Sequence, residues 1–585
     1  MMRKTKIVCT IGPASESVEM LEKLMKAGMN VARLNFSHGT HEEHKIRIDN
    51  IKKIRQQLNK PVAIMLDTKG PEVRLGKFKT GSEELVVGQS FTLTTKDIEG
   101  DSSIVSISYK SLPVEVSKGT RILIADGLIE LIVLDKDDTD VFCQVVNGGT
   151  VSDRKNVNIP GATSKLPAVT DKDIEDINFG INNDIDFIAA SFIRRASDVF
   201  EIRRILEQRK ADHIQIIAKI ENQQGVDNCD EILRVSDGLM VARGDLGVEI
   251  PTEDIPLVQK HLIAKANALG KPVITATQMM ESMIRNPRPT RAEVTDIANA
   301  IFDGTDAVML SGETAAGKYP FETVSTMATI AERTETALDY RKKLIKSDGN
   351  QNITVTNAIS FASCAAATDL GASAIITPTQ SGSTARMVSK YRPKAPIVAA
   401  TPDERVARKL SLSFGVNSVT VLPTESTDEM IQHSVDRALE AELIKNGDLV
   451  VITAGVPVGV AGTTNLIKVH VVGEVIAKGM GIGNRAVTGK ICIIKNGEKE
   501  IGKIQEGDIL VAEATDLDMI PLMMKAAAFI VEEGGLTSHA AIVGLELGKP
   551  VVVGVGKAMD TLADGQIVTV DSSRGLIYKG KARVL

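Results

Sequence analysis

The sequence has no tryptophan, and its 13 Phe and 5 Tyr leave aromatics at 3% of 585 residues. An RNA reader built on aromatic stacking needs more of them, and so does a membrane protein with interfacial aromatic belts. Basic excess is also absent: 69 Lys and Arg against 75 Asp and Glu give a net charge of −6. That balance argues against a nucleic-acid footprint and leaves only local anion sites open. The five cysteines (Cys9, Cys143, Cys229, Cys364, Cys492) are scattered and form no CxxC. An odd, dispersed set fits free thiols in a reducing cytoplasm. Long apolar runs are missing as well. The start, MMRKTKIVCTIG, holds too few apolar residues for a signal peptide. The uncharged stretch from Leu449 to Ile467 is broken by Gly455, Pro457, Gly459 and Gly462, so it reads as strand plus loop and no membrane is expected.

What is present is an α/β rhythm. At about 150 residues per domain, the length predicts about four domains. Eight apolar runs read as strands: 6–12, 29–36, 62–67, 186–192, 215–220, 238–244, 272–278 and 307–310. Most are followed by helical-period segments, such as 40–58, 197–208 and 253–269. Strands that are apolar on both faces are those of a buried parallel sheet. Eight strand–helix units predict a (β/α)₈ TIM barrel, with a doubly wound sheet as the alternative. Residues 71–168 interrupt the rhythm with alternating segments at 90–95, 103–109, 121–124 and 129–134. They read as an all-β insertion after the third strand, placed at the barrel mouth as a lid. From 341 a second α/β pattern runs to 473, with strands at 373–379, 396–401, 417–422 and 448–455 and a helix at 404–414. It predicts a doubly wound sheet. KGMGIGN (478–484) reads as a Gly-rich linker, and the rest of 474–585 as a mixed β/α segment. The expected domains are therefore 1–70 with 169–340, 71–168, 341–473 and 474–585.

In such a barrel, polar residues at the C-terminal strand ends are the default site. They are Arg33, Asn35 and Ser37, then Asp67, Thr68 and Lys69, then Lys219 and Glu221. Gly244, Asp245, Thr277, Ser311 and Glu313 complete the set. Period two puts Arg33, Asn35 and Ser37 on one face, and likewise Lys219 and Glu221. Asp67, Glu221 and Asp245 with hydroxyls and an amide are hard oxygen ligands, suited to Mg²⁺ and a monovalent cation rather than zinc. Arg33, Arg74 and Lys219 suit phosphate. A metal and cationic clamps over developing charge are the machinery of phosphoryl transfer. Gly312 to Lys318 matches most of a P-loop, but Tyr319 stands where Ser or Thr is needed.

CTIGPAS (9–15), NVARLNFSHG (30–39), LDTKGPEVR (66–74), AKIEN (218–222), ARGDLGVEIP (242–251), TATQMMESM (275–283), residues 289–320 and SGSTARMVSKYRP (381–393) resemble the pyruvate kinase family. The resemblance spans residues 1 to about 473. It implies a barrel, a β-barrel lid and an α/β effector domain, in a cytoplasmic homotetramer. It further implies that phosphoenolpyruvate phosphorylates ADP to give pyruvate and ATP, with Mg²⁺ (or Mn²⁺) and K⁺. By the same resemblance, Asn35, Ser37, Asp67 and Thr68 match potassium ligands, and Glu221 and Asp245 the divalent-metal ligands. Lys219 matches the residue that steadies the phosphoryl in flight, and Arg33 a phosphate contact. Gly244, Asp245 and Thr277 match the seat of the substrate carboxylate. Asn35, His38, Arg74 and Lys155 match nucleotide contacts. Thr277, a water chain or a Ser311/Glu313 network stand as candidate proton donors to the enolate. Glu72 goes with potassium dependence, since a lysine there stands in for the cation.

Thr379, Ser381, Gly382, Ser383 and Thr384 sit between strand and helix, where hydroxyls and N–H groups suit an anion. The resemblance implies the phosphate of an allosteric effector there, with Ser383 as a plain N-cap the simpler reading. The facing loop, Gly455 to Thr464, lacks the Trp and Arg that go with fructose-1,6-bisphosphate, which favours AMP or a sugar monophosphate. GGLTSHAAIVGLELGKPVVVG (534–554) resembles the phosphohistidine domain of phosphoenolpyruvate-utilising enzymes, with His539 in the place of the phosphorylated histidine. A retained fold used for packing is favoured over a phosphocarrier, because the partner domains of those enzymes are missing.

Overall fold

A computed structural model describes residues 2–161, 166–348, 354–424, 426–457, 463–495, 500 and 502–584. The chain forms two compact units, Met1–Asp339 with Glu404–Val416, and Tyr340–Asp403 with Asn417–Leu585.

The first unit holds the eight expected parallel strands: β1 (Lys6–Thr10), β2 (Val31–Asn35), β3 (Ala63–Asp67), β4 (Phe187–Ala190), β5 (Gln215–Ile220), β6 (Gly238–Ala242), β7 (Val273–Ala276) and β8 (Ala307–Leu310). They close in the order β1-β8-β7-β6-β5-β4-β3-β2. Pairing of β1 with β8, from Lys6 opposite Ala307 to Cys9 opposite Leu310, excludes the open sheet. Alternate residues such as Ala63, Met65, Phe187, Ala189, Ala307 and Met309 fill the interior, as the period of two requires. Leu412 joins this cluster from a distant part of the sequence.

The N-terminal rim follows a simple rule. Asp186, Asp237 and Asp306 each stand one residue before a strand. Each accepts a backbone N–H from a neighbouring strand: Asp186 from Ile64 at 2.9 Å, Asp237 from Ile216 at 2.8 Å and Asp306 from Val273 at 3.1 Å. Strand starts leave donors without a ladder partner, and a short carboxylate satisfies them. The lid is mostly β, a six-stranded sheet and the ribbon Ser82–Leu85 with Gly149–Ser152. The all-β expectation is corrected by one short helix, Leu112–Glu115. Leu85, Phe91, Val133 and Val151 share its core.

In the second unit, β9 (Ala374–Pro378), β10 (Ile397–Thr401), β11 (Val416–Thr420), β12 (Leu449–Gly455) and β13 (Thr464–Val471) form a sheet in the order β11-β10-β9-β12-β13. The edge strand β13 is antiparallel to β12 and was not expected. The helix expected over 404–414, in the segment that belongs to the first unit, ends at Lys409 and tightens into a 3₁₀ turn at Leu410–Leu412. The last segment forms an eight-stranded mixed sheet: β14 (Val475–Lys478), β15 (Met480–Ile482), β16 (Ala486–Ile493), β17 (Ile509–Ala512), β18 (Ala528–Val531), β19 (Val551–Val553), β20 (Ile567–Asp571) and β21 (Leu576–Lys579).

The linker reading of 478–484 is therefore corrected, because that stretch supplies all of β15 and the end of β14. Its glycines serve close approach, not freedom: a Cβ on Gly481 would lie 2.0 Å from the Ser572 carbonyl oxygen. The chain's last residues bind the same unit's first sheet. Arg583 donates from its backbone to Gly447 at 2.7 Å and from its side chain to Gly371 at 2.8 Å. Tyr578 packs with Leu449 and Val471. Among the described residues, no helix is long and apolar enough to cross a membrane.

Candidate active site

Neighbouring strands bring the charged groups of the barrel mouth together by register. Asn35 lies opposite Asp67 where β2 meets β3. Arg33 donates from Nε to Asp67 Oδ2 at 2.6 Å and from Nη1 to Thr10 Oγ1 at 2.8 Å. Lys219 Nζ sits 3.0 Å from Asp67 Oδ1, 2.9 Å from Glu221 Oε1 and 2.7 Å from Ser191 Oγ. Glu221 Oε2 accepts the N–H of Phe192 at 2.5 Å. Arg33, Asp67, Lys219 and Glu221 are all buried.

Burial works against the Lys219 ammonium, but Asp67, Glu221 and Asp245 together outweigh it and hold its pKa above the ordinary lysine value. Burial likewise opposes the Asp67 carboxylate, and Arg33 and Lys219 overcome it, so its pKa is lowered. Glu221 goes the other way. Burial raises it, Lys219 opposes, and the charge of Asp245 adds to the rise. Asp245 is raised by burial too, against the pull of Lys219. Three carboxylates thus face two cationic side chains, and the surplus negative charge sits on Glu221 and Asp245. That is a donor set wanting a further cation.

Among the described residues no group of three or more His, Cys, Asp or Glu is gathered for a metal. Two carboxylate oxygens with the remaining positions left to water and substrate suit Mg²⁺, which keeps much of its shell. Asp67 has both oxygens engaged, yet each keeps a second lone pair.

Thr277 is the first residue past β7 and has φ +69°. Its Oγ1 accepts the Gly244 N–H at 2.7 Å and donates to the Ala276 carbonyl at 2.6 Å, so Gly244, Asp245 and Thr277 are brought together. Past β2, Asn35 Oδ1 accepts the Ser37 N–H at 3.1 Å, and the His38 carbonyl meets His44 Nε2 at 2.9 Å. Thr68 lies at the end of β3, and its Oγ1 accepts the Ser191 N–H at 3.1 Å. Arg74 is tied to Glu72 at 2.7 Å and to the Arg154 carbonyl at 2.8 Å, and Lys155 is exposed beside it. A cavity of about 370 Å³ opens between lid and barrel, lined by Phe192 and Asp245 from the barrel and by Glu72, Tyr109, Asn156 and Asn158 from the insertion. Glu313 is fully buried, and its carboxylate accepts the N–H groups of Ser311 at 2.7 Å and Met280 at 3.1 Å. It ties two loops together rather than facing substrate.

Ser191 and Thr10 escaped the sequence reading. Both stand at strand ends, of β4 and β1. The strand-end rule, carried to these two strands, finds them.

A family model described as pyruvate kinase, barrel domain, matches residues 2–324. The chain belongs to the pyruvate kinase family. A second model of the family, its alpha/beta domain, matches 357–470, and one for the mobile domain of PEP-utilising enzymes matches 504–575. The chain is 57% identical to the pyruvate kinase of Bacillus licheniformis over 100% of both chains. It is equally similar to that of Geobacillus stearothermophilus, again at 57% over 100% of both. A crystal structure of a pyruvate kinase from Cryptosporidium parvum matches with TM-score 0.77 and 44% identity, covering 80% of this chain and 96% of that one. Like its family, the chain is a phosphotransferase.

Away from the barrel, Thr379, Ser381, Ser383 and Thr384 line a cavity of about 70 Å³ with Leu422 and His433. Gly382 (φ +80°), not Ser383, is the N-cap of the helix Ser383–Lys390. Its left-handed backbone is what a glycine allows at no steric cost. Thr384 Oγ1 lies 2.9 Å from Thr464 Oγ1. Most of the facing loop, 458–462, lies outside the described residues. His539 opens the helix His539–Glu546, with Nδ1 3.0 Å from Thr515 Oγ1. Its Nε2 is enclosed and has no hydrogen-bond partner among the described residues.

Proposed function

We propose that this chain carries the phosphoryl group of phosphoenolpyruvate to ADP, giving pyruvate and ATP, as the final step of glycolysis in the cytoplasm. The observation that carries the reading is Lys219: a buried ammonium fixed among Asp67, Glu221 and Ser191 at the end of β5. A cation held there meets the transferring group without reorganising, which is where electrostatic catalysis gains most. Arg33 contacts the phosphate. Gly244, Asp245 and Thr277 seat the substrate carboxylate, and Asn35, His38, Arg74 and Lys155 receive the nucleotide. Glu221 and Asp245 would hold Mg²⁺ or Mn²⁺, and Asn35, Ser37, Asp67 and Thr68 would hold K⁺. When bound, these cations neutralise charge on the phosphoryl oxygens. With Glu313 committed to backbone amides, Thr277 or a water chain is the better proton donor to the enolate.

The loop 379–384 is read as the phosphate seat of an effector, AMP or a sugar monophosphate rather than fructose-1,6-bisphosphate. By the family resemblance the assembly is a homotetramer. The extra domain serves packing, since an enclosed Nε2 on His539 is poorly placed to attack a phosphoryl donor.

One coupled assay tests the main reading. Pyruvate should form only with phosphoenolpyruvate, ADP, Mg²⁺ and K⁺ together, and no pyruvate under those conditions ends the proposal. Equal rates in sodium-only buffer would remove the potassium site. Glu72→Lys should raise the sodium-only rate toward the potassium one.

A further inference from the structure

At the end of β7 the backbone does something most residues resist. Thr277 and Gln278 both have left-handed φ, +69° and +55°. Such values are uncommon outside glycine, and for a β-branched residue such as Thr277 they mark real strain. Strain of this kind persists only where the surroundings impose it.

Three neighbours impose it. On the carbonyl side stands the guanidinium of Arg243, whose side chain is 11% exposed. It donates from Nη2 to the Thr277 carbonyl at 2.8 Å and from Nε to the Ala276 carbonyl at 3.3 Å. Nη2 also lies 2.8 Å from Met279 Sδ. On the amide side, Glu313 accepts the Met280 N–H at 3.1 Å. On the side chain, the Gly244 N–H meets Thr277 Oγ1 at 2.7 Å. Arg243 is itself aimed: Nη1 pairs with Asp296 at 2.7 Å and reaches Gln259 at 3.4 Å.

We propose that Arg243 is a positioning residue for phosphoryl transfer: oriented by Asp296, it clamps two successive carbonyls and so fixes the strained turn that aims Thr277 at the substrate. The proposal rests on the reading of Thr277 as a substrate contact. The chemistry asks for arginine, because two carbonyls at different points need a planar fork, and lysine offers one compact charge. Arg243 touches neither substrate nor metal in this account. It acts through Thr277.

Steady-state kinetics on the full chain separate the alternatives, with Thr277→Ala, Arg243→Lys, Asp296→Asn and the Thr277→Ala/Arg243→Lys double variant. Arg243→Lys should lower kcat/KM for phosphoenolpyruvate about 100-fold, the scale of a 1 Å misplacement. The KM for ADP should stay near wild type, and Asp296→Asn should show the same pattern more weakly. In the Thr277→Ala background, Arg243→Lys should add almost nothing, since both remove one unit. A Thr277→Ala enzyme with wild-type kinetics would overturn the reading of Thr277. If that variant is crippled while Arg243→Lys is wild type, only the positioning role falls. It falls also if the two losses multiply, or if ADP and phosphoenolpyruvate parameters worsen alike. Should Arg243→Lys not fold, Asp296→Asn carries the test by the same split.

Discussion

The two ends of the barrel are built from the same residue types and do opposite things with them. At the floor, carboxylates face backbone amides and arginines. Asp186 receives the Ile64 N–H and the Nε of Arg408 at 2.7 Å. Glu335 accepts the N–H groups of Lys4 at 2.8 Å and Thr5 at 2.6 Å, and Asp306 accepts that of Phe414 at 3.1 Å. At the mouth, Lys219 is shared among three oxygens, and burial holds Glu221 and Asp245 above the ordinary carboxylate range. Closed networks hold a fold, and open ones await a ligand. The contrast is the expected division of a TIM barrel, with stability at the bottom and chemistry at the top.

Removing a charge at each end should break different properties. Arg408→Met leaves buried Asp186 with only the more distant Arg55, at 3.7 Å, and should cost up to about 3–5 kcal/mol of stability. Urea denaturation reads this, and turnover per folded molecule should be unchanged. A stable but inactive variant would erase the distinction. Lys219→Met should raise the barrier by about 3–4 kcal/mol. It also leaves the buried Asp67 and Glu221 short of a cation, so its urea midpoint should fall too. The loss of turnover per folded molecule is what sets it apart from Arg408→Met. A nearly wild-type rate would take Lys219 out of the chemistry.

A smaller effect sharpens the picture of the floor. Lys6 is buried there, with Nζ donating to the Val416 carbonyl at 2.5 Å. Burial and the nearby Arg3 push its pKa down to about 7, against the pull of Glu335 and Asp306. The folded-state value lies below lysine's ordinary 10.5. Between those values the unfolded chain binds a proton that the folded chain does not. Stability from this group therefore rises with pH across that window, and falls as pH drops from about 10.5 toward 7. Lys6→Met should reduce the slope of stability against pH there by up to one proton, and an unchanged slope would refute it. Smallest of all, His539→Ala should leave turnover unaltered and cost about 1 kcal/mol through the lost Thr515 bond. Labelled phosphoenolpyruvate should leave no acid-labile phosphoryl on either form, and a label on the wild type alone would restore the carrier reading.

Much of the barrel was legible because its strands are apolar on both faces and its polar residues gather at their ends. Lys219 and Glu221 stood out by spacing alone. Less visible were features set by distant partners. Ser191 can be found by its strand-end position, but its contacts with Lys219 and Asp67 are set by neighbouring strands and not by its local sequence. The aspartates before β4, β6 and β8 look like ordinary turn residues until the neighbouring strand supplies the N–H. The glycines at 479 and 481 look flexible in sequence, because the carbonyls that crowd them come from residues 553 and 572. The grip of Arg243 on Thr277 joins residues 34 apart, across two strand ends.

Leu412 gives the chain an order of assembly. Strand β8 is complete at Leu310, yet one side chain of the barrel's interior cluster arrives only after β10 has been made. Domains tend to fold as they leave the ribosome, N-terminal first. Here the first unit must wait for its own later segment, Glu404–Val416, and a shortened gene ending after β8 would encode a barrel that lacks Leu412 in its core.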